Sequence, residues 1–268
     1  MNERRLAVIT GASAGIGTAF AEVLAEEGFD LVLVARRLDR LEQIAERLEA
    51  EHPIRVIPMS LDLSDRSAPE RLVERLDVEQ LDVDVLVNNA GYAIPTRFCD
   101  TDWATIDGFL EVLAVGQVHL MHLVVPGMRE RGYGRVMNVA SLAAFAPENP
   151  GGLYGAVKRF LVSASRAIWM EQKRGSNVHV TAVCPGYTWT EFHDVLGNRE
   201  EISKLPKFMW QKAEHVAREG WRACERNKPV VVTGRMNKLL RVVCLFLPGT
   251  SKVRSGPKSQ NASAADDR

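Results

Sequence analysis

"TGASAGIG" occupies Thr10–Gly17. It follows "LAVIT" (Leu6–Thr10), a β-branched apolar run, and it opens a stretch of helical pattern. A glycine-rich turn in that place lets the backbone approach a pyrophosphate, and the start of the helix favours the negative charge. Gly11, Gly15 and Gly17 are spaced more widely at the front than G-x-G-x-x-G. The position at the first strand–helix junction therefore carries the reading, not the glycine count.

Working outward, the same alternation continues. "LVLVA" (Leu31–Ala35), "IRVIPM" (Ile54–Met59), "VDVLVN" (Val83–Asn88), "GRVMNVA" (Gly134–Ala140) and "VHVTAVC" (Val178–Cys184) are nearly continuous apolar runs, and "VVVT" (Val230–Thr233) is a seventh candidate. Strands covered on both faces of a parallel sheet read this way. Helical patterns fill the gaps at Gly15–Gly28, Asp39–Glu51, Ala68–Leu76, Asp102–Arg131, Tyr154–Arg174 and Gln211–Arg226. The expected fold is α/β: a Rossmann-type, doubly wound parallel sheet of about seven strands with helices on both faces. The chain of 268 residues shows no internal repeat and no long linker. One domain, 1–248, is expected, with a polar tail, 249–268, that reads as disordered.

Lys plus Arg and Asp plus Glu each number 34, so charge balance gives no sign of a nucleic-acid partner. Cys99, Cys184, Cys224 and Cys244 are scattered and form no CxxC, so neither a metal site nor a disulfide framework is expected, and a reducing, cytoplasmic setting is. No signal peptide is read at the N-terminus.

Two further stretches bear on chemistry. The second strand ends in "ARRLDR" (Ala35–Arg40), where an NAD site usually places an acid for the ribose 2′-hydroxyl. Arg36 and Arg37 suit a 2′-phosphate instead, so NADP is the expected cofactor, and Asp39 reads as the N-cap of the next helix. "YGAVK" (Tyr154–Lys158) sets a phenol and an ammonium four apart, one turn from each other on a helix face. A cation within about 4–6 Å lowers a phenol by roughly 1–3 units, which would make Tyr154 a better base near neutral pH.

With "TGASAGIG", "DL" at Asp62–Leu63, "NNAG" at Asn88–Gly91, Ser141, "YGAVK" and "PGYTWT" at Pro185–Thr190 in this order, the chain resembles the short-chain dehydrogenase/reductase family over about Leu6 to Thr233. The resemblance implies hydride transfer between a nicotinamide and a carbon, with Ser141, Tyr154 and Lys158 catalytic. Ser141 orients the substrate oxygen, Tyr154 is the general acid/base, and Lys158 tunes the phenol and holds the nicotinamide ribose. It implies cofactor contacts from Gly11, Ser13, Gly15, Ile16, Gly17, Arg36, Arg37, Asp62, Leu63, Asn88, Ala90, Gly91, Tyr154, Lys158, Pro185, Gly186, Thr188 and Thr190. Of these, Asp62 and Leu63 meet the adenine, Ser13 and Arg36 meet the 2′-phosphate, Asn88, Ala90 and Gly91 line the adenosine side, and Pro185–Thr190 frame the nicotinamide. No metal is implied.

One position departs from the pattern. "EVLAVGQ" (Glu111–Gln117) places Leu113 where the family usually has an asparagine that supports a water beside the lysine. A leucine makes no side-chain hydrogen bond. The alternative function is therefore an NADP-binding sensing or interaction module with weak or no catalysis.

Tyr187–Trp210 is the least regular stretch and, by the resemblance, the substrate lid. Trp189, Phe192, Phe208, Met209 and Trp210, with Leu142, Ala143, Ala144 and Phe145, point to a small hydrophobic ketone, aldehyde or secondary alcohol. The resemblance implies subunit pairing through the fourth and fifth helices, here Asp102–Arg131 and Tyr154–Arg174, whose apolar residues on more than one face suit a homodimer or homotetramer. "NKLLRVVCLFLP" (Asn237–Pro248) is too short to span a bilayer; packing or subunit docking ranks ahead of a weak, peripheral membrane-surface contact.

Overall fold

The computed structural model describes residues 5–147, 152–172, 175–192 and 206–246. The expected tail lies outside these residues, as do Arg174, Pro248 and much of the stretch after Phe192. Seven strands form one sheet: β1 (Leu6–Thr10), β2 (Asp30–Ala35), β3 (Val56–Ser60), β4 (Val83–Asn88), β5 (Gly134–Val139), β6 (Val178–Cys184) and β9 (Val230–Val232). Their order is β3-β2-β1-β4-β5-β6-β9, and every pairing is parallel. The chain runs outward from β1 to β3, returns past β1, and continues from β4 to β9. That reversal leaves a crevice at the carboxyl ends of β1 and β4, where ligands of open α/β sheets bind.

Continuous apolar strands need cover on both faces, and the helices supply it. One core joins the sheet to α1 (Gly15–Glu26), α2 (Leu38–Glu51) and α7 (Ala213–Glu225), with Phe20, Leu24, Leu41, Leu48 and Trp221 buried there. The other joins it to α3 (Ala68–Val78), α5 (Gly116–Arg131) and α6 (Tyr154–Glu171) through Leu72, Leu120, Val124 and Met128. The helix expected over Asp102–Arg131 is continuous from Trp103, but a π-turn at Glu111–Val115 separates α4 (Trp103–Leu110) from α5. By length and apolarity Trp103–Arg131 passes for a membrane span, yet 56% of its apolar stretch is buried inside the fold.

Three local readings are corrected. Asp39 is not the N-cap of α2: the helix starts at Leu38, Arg37 holds the cap position, and Asp39 lies in the first turn. Gln211 and Lys212 are not helical but form β8, paired in parallel with β7 (Thr188–Trp189). The apolar C-terminal segment is a helix, α8 (Arg235–Phe246), beginning two residues before the expected stretch.

Candidate active site

Thr10, at the carboxyl end of β1, organises the mouth of the crevice. Its hydroxyl donates to the Val87 carbonyl at 3.2 Å and accepts from the Asn89 and Ala90 amides at 2.9 and 3.1 Å. The Asn89 side chain donates to the Thr10 and Gly11 carbonyls at 3.0 and 3.1 Å. The two strand-end loops are thereby sewn together, with no side chain to spare at their contact. Gly11 takes φ +63°, and a Cβ there would lie 2.8 Å from the Ala90 Cα. Gly15 takes φ +60°, and a Cβ there would lie 2.8 Å from Thr190 Cγ2. Both positions need glycine for conformation and for space. A bare backbone turn leading into the amino end of α1 fits a pyrophosphate.

Past the carboxyl end of β2, two arginines, an acid and Ser13 meet. Arg37, rather than Arg36, reaches Ser13, with Nη2 donating to Oγ at 3.0 Å. Arg40, three residues on, joins it: both guanidiniums meet the carboxylate of Glu191, Arg37 at 3.2 Å and Arg40 at 2.7 Å. Arg36 lends its backbone carbonyl to Ser60 Oγ. Arg40, Glu191 and Asn89 were not among the expected site residues. The i, i+3 spacing of Arg37 and Arg40 at a helix start was a visible signal for the first.

The other expected contacts divide. Asp62 accepts from the amide and hydroxyl of Ser64, and Leu63 is buried, so this pair forms a local turn. Asn88 does not line the crevice through its side chain. That side chain is fully buried and donates to Asn138 Oδ1 at 2.9 Å and to the Gln117 carbonyl at 3.1 Å. Ala90 abuts Gly11, whereas Gly91 borders Leu113 and the Lys158 ammonium. Pro185 anchors Leu142 through its carbonyl, Gly186 leaves room for the Asn237 side chain, Thr188 donates to Gly186, and Ile16 packs on the first core.

Ser141, Tyr154 and Lys158 converge at the ends of β5 and α6. The Ser141 hydroxyl accepts from the Ala143 amide at 3.1 Å and lies near enough to the Tyr154 phenol to pull it downward. Lys158 is 3% exposed and donates to the Val139 carbonyl at 2.7 Å; its Nζ stands 5.7 Å from the centre of the Tyr154 ring. The protein's own groups do not make the phenol acidic. Burial pushes Tyr154 up to about 12, against a smaller downward pull from the Ser141 hydroxyl. Burial likewise brings Lys158 down to about 8. Lys158 is not among the groups that lower the Tyr154 phenol; desolvation is the largest influence on both residues.

Leu113 lies where the spacing put it. It is fully buried in an apolar cluster with Leu63, Phe109, Val112 and Val157, and it borders Gly91 together with Lys158 Nζ. Gln117 bridges the π-turn, its Nε2 donating to the Val112 carbonyl at 3.3 Å and to the Ala90 carbonyl at 3.1 Å. Gln117 Oε1 is buried without a hydrogen-bond partner.

Beside Tyr154, Ile94, Phe98, Ile106, Phe109 and Leu153 line an apolar hollow. Phe192 closes on the same phenol, with ring centres 5.7 Å apart. Trp189 stacks on Trp210 at 4.0 Å and Tyr187 lies 5.7 Å from Trp210, so these lid aromatics pack largely on one another.

A family profile described as short chain dehydrogenase matches residues 5–201. A glycine betaine reductase of Emericella nidulans is 36% identical over 76% of this chain, which spans only 16% of that longer protein. An NADP-dependent 3-hydroxy acid dehydrogenase of Salmonella typhi is 33% identical over 74% of this chain and 80% of its own. Among solved structures, a short-chain dehydrogenase from Sphingobium yanoikuyae in complex with NADPH is 27% identical, with a TM-score of 0.78 over 92% of this chain and 98% of its own.

Proposed function

The chain belongs to the short-chain dehydrogenase/reductase family of oxidoreductases, and from that premise we propose that it moves hydride between NADP(H) and a hydrophobic ketone, aldehyde or secondary alcohol. The observation that carries the reading is the convergence of Ser141, Tyr154 and Lys158 beside an apolar hollow, at the carboxyl end of β5. The nicotinamide, when bound, supplies the hydride chemistry.

The chain's residues handle the rest. The glycine turn and the amino end of α1 hold the pyrophosphate, and Ser13, Arg37 and Arg40 hold the 2′-phosphate. Ser141 donates to the substrate oxygen and sets it against Tyr154. In reduction Tyr154 donates its phenolic proton to that oxygen; a phenol near 12 is fully protonated at neutral pH and stands ready as the acid. In alcohol oxidation it must accept a proton, which requires a cation nearby to favour the phenolate. Lys158 serves once a ribose hydroxyl or water solvates its ammonium. The apolar wall formed by Ile94, Phe109, Leu153 and Phe192 excludes water and selects hydrophobic substrates.

The test is consumption of NADPH against a panel of hydrophobic ketones and aldehydes, with NADH in parallel. Turnover that prefers NADPH supports the reading. Tight NADPH binding without turnover of any substrate would leave the sensing or interaction module in its place.

A further inference from the structure

Glu191 follows β7 by two residues, at the start of the substrate loop, yet its carboxylate lies on the nucleotide side. Its two oxygens stand 2.7 and 3.0 Å from Arg40 Nη1, and one of them is 3.2 Å from Arg37 Nη1. The other amino group of Arg37 holds Ser13. Hydrogen bonds from Arg40 and then Arg37 keep the Glu191 carboxyl below its usual range, against partial desolvation. An anion bridging two guanidiniums beside a hydroxyl is the arrangement a phosphate ester would take.

We propose that Glu191 is a resident counter-ion which the cofactor's 2′-phosphate displaces, so that recognition of NADP(H) and placement of Thr190, Glu191 and Phe192 are one event. This rests on the NADP reading above. A phosphate carries about −1.5 to −2 charges against one on the carboxylate, so it takes the arginines and repels what held them. Glu191 cannot leave alone. Thr190 on one side rests against Gly15 in the phosphate turn, and Phe192 on the other closes on the Tyr154 ring. Releasing the carboxylate therefore shifts Thr190 at the phosphate turn and Phe192 at the phenol together. A cofactor lacking the 2′-phosphate leaves Glu191 in place.

Trp189, two residues before Glu191 and stacked on Trp210, gives a built-in optical reporter. The full-length protein is titrated with 2′,5′-ADP and with 5′-AMP while tryptophan fluorescence is followed. The bisphosphate is expected to shift the emission and the monophosphate to leave it unchanged. Glu191→Gln should already show the shifted emission, bind NADPH about two- to tenfold more tightly, as loss of an exposed ionic competitor allows, and bind NADH as before. Unchanged NADPH affinity in Glu191→Gln, while Arg37→Ala and Arg40→Ala weaken NADPH alone, would overturn the displacement and spare the NADP reading. Equal loss of NADPH and NADH in the arginine variants would overturn both.

A different surface carries a second proposal. Helix α8 turns polar groups inward: Asn237 is 2% exposed and donates to the Thr233 carbonyl, and Arg241 lies over the Phe145 ring at 4.6 Å. Its outward side is aliphatic, with Met236, Leu239, Val242 and Val243 all exposed at i, i+3, i+6 and i+7. Arg235 and Lys238, at the edge of that stripe, also line a cleft with Arg222, Arg226 and Lys228. Lys238 pairs with Glu219, while Arg222, Arg226, Lys228 and Arg235 have no ion pair among the described residues. From Arg235 to Gln260 the sequence holds six Lys and Arg and no Asp or Glu.

We infer that this face lies on an anionic phospholipid bilayer, with the aliphatic stripe at the acyl boundary and the cations among the headgroups. Four aliphatic residues fall well short of the ~800 Å² per partner of a stable protein interface, and a second copy would set cation against cation. In co-sedimentation, the full chain should bind phosphatidylglycerol vesicles and not phosphatidylcholine vesicles, and high salt should release it. Leu239→Glu with Val242→Glu should abolish binding with melting temperature and turnover unchanged. Absence of vesicle binding, binding that survives the double change, or a dimer that the double change dissolves would each overturn it.

Discussion

At one end of the site Arg37, Arg40 and Glu191 are roughly half exposed and already paired; at the other, Lys158 is buried and Tyr154 half-buried, and desolvation works against the charged form of each. Exposed ion pairs are worth about 0–1 kcal/mol, so the arginines change partners at little cost. The enclosed pair is the reverse: a charge there is costly until something arrives to solvate it. The comparison separates two tasks. On the function proposed above, the exposed end selects a ligand by exchanging counter-ions, and the enclosed end holds the proton chemistry for it.

The most severe way to break this comparison is at the phenol. Tyr154→Phe is expected to lower turnover by about 10²–10⁴-fold, the range for a lost general acid, while NADPH titration by fluorescence stays within about a factor of two. Retained turnover would remove Tyr154 from the chemistry. At the exposed end, Arg37→Asp should weaken NADPH by about 10- to 100-fold, the worth of a charge-assisted hydrogen bond, and leave NADH nearly untouched. Arg36→Asp should do less, since Arg36 makes no contact with Ser13 or Glu191 among those found.

The lysine sharpens the contrast through pH. Its folded value, about 8, lies below the ~10.4 of an unfolded chain. Between those values the unfolded state binds more protons, so the protein gains stability from this group as pH rises through the window and forfeits it below about 8. Tyr154 acts oppositely and higher, holding its proton to about 12 when an unfolded phenol has lost it near ~10, so stability falls with pH across that interval. Melting temperatures from pH 7 to 9.5 should therefore rise more steeply for wild type than for Lys158→Met. Equal slopes would show that Lys158 is not desolvated as described.

Leu113→Asn is the mildest change for the reaction and a distinct one for the fold. An amide in that apolar cluster lacks partners, so a loss of about 1–3 kcal/mol is expected in denaturant melts, with no gain in rate. A faster enzyme with a smaller solvent isotope effect would show instead that the asparagine restores a proton route.

Much of this was open to reading from the chain. Continuous apolar strands fix burial on both faces, Gly11 and Gly15 announce a turn no other residue tolerates, and the Tyr154–Lys158 interval is local enough to be seen by counting. What escaped depends on distance or on competition. The Glu191 pair joins residues 151 apart, which no local pattern records. Asn88 carries the composition of a ligand contact, but its burial commits its amide to Asn138 and Gln117. Asp39 is an ordinary capping residue beaten by a helix that begins one position earlier. Proximity of Lys158 to Tyr154 was legible; the desolvation that raises the phenol and lowers the lysine is a property of the packed whole.

The π-turn at Glu111–Val115 makes the long helix a register device. A π-turn amounts to one residue inserted into an α-helix, and each residue rotates a helix by about 100°. Excising a single residue there would leave a shorter but regular helix, comfortable in itself. It would also swing α4 around its axis, carrying Phe109 away from its edge-on contact with Tyr92, where the rings now stand 5.7 Å apart. The wall of the hollow beside Tyr154 thus hangs on an irregularity in a helix whose other half, α5, is built into the sheet core. A deletion of one amino acid, harmless to backbone hydrogen bonding, would re-cut the pocket.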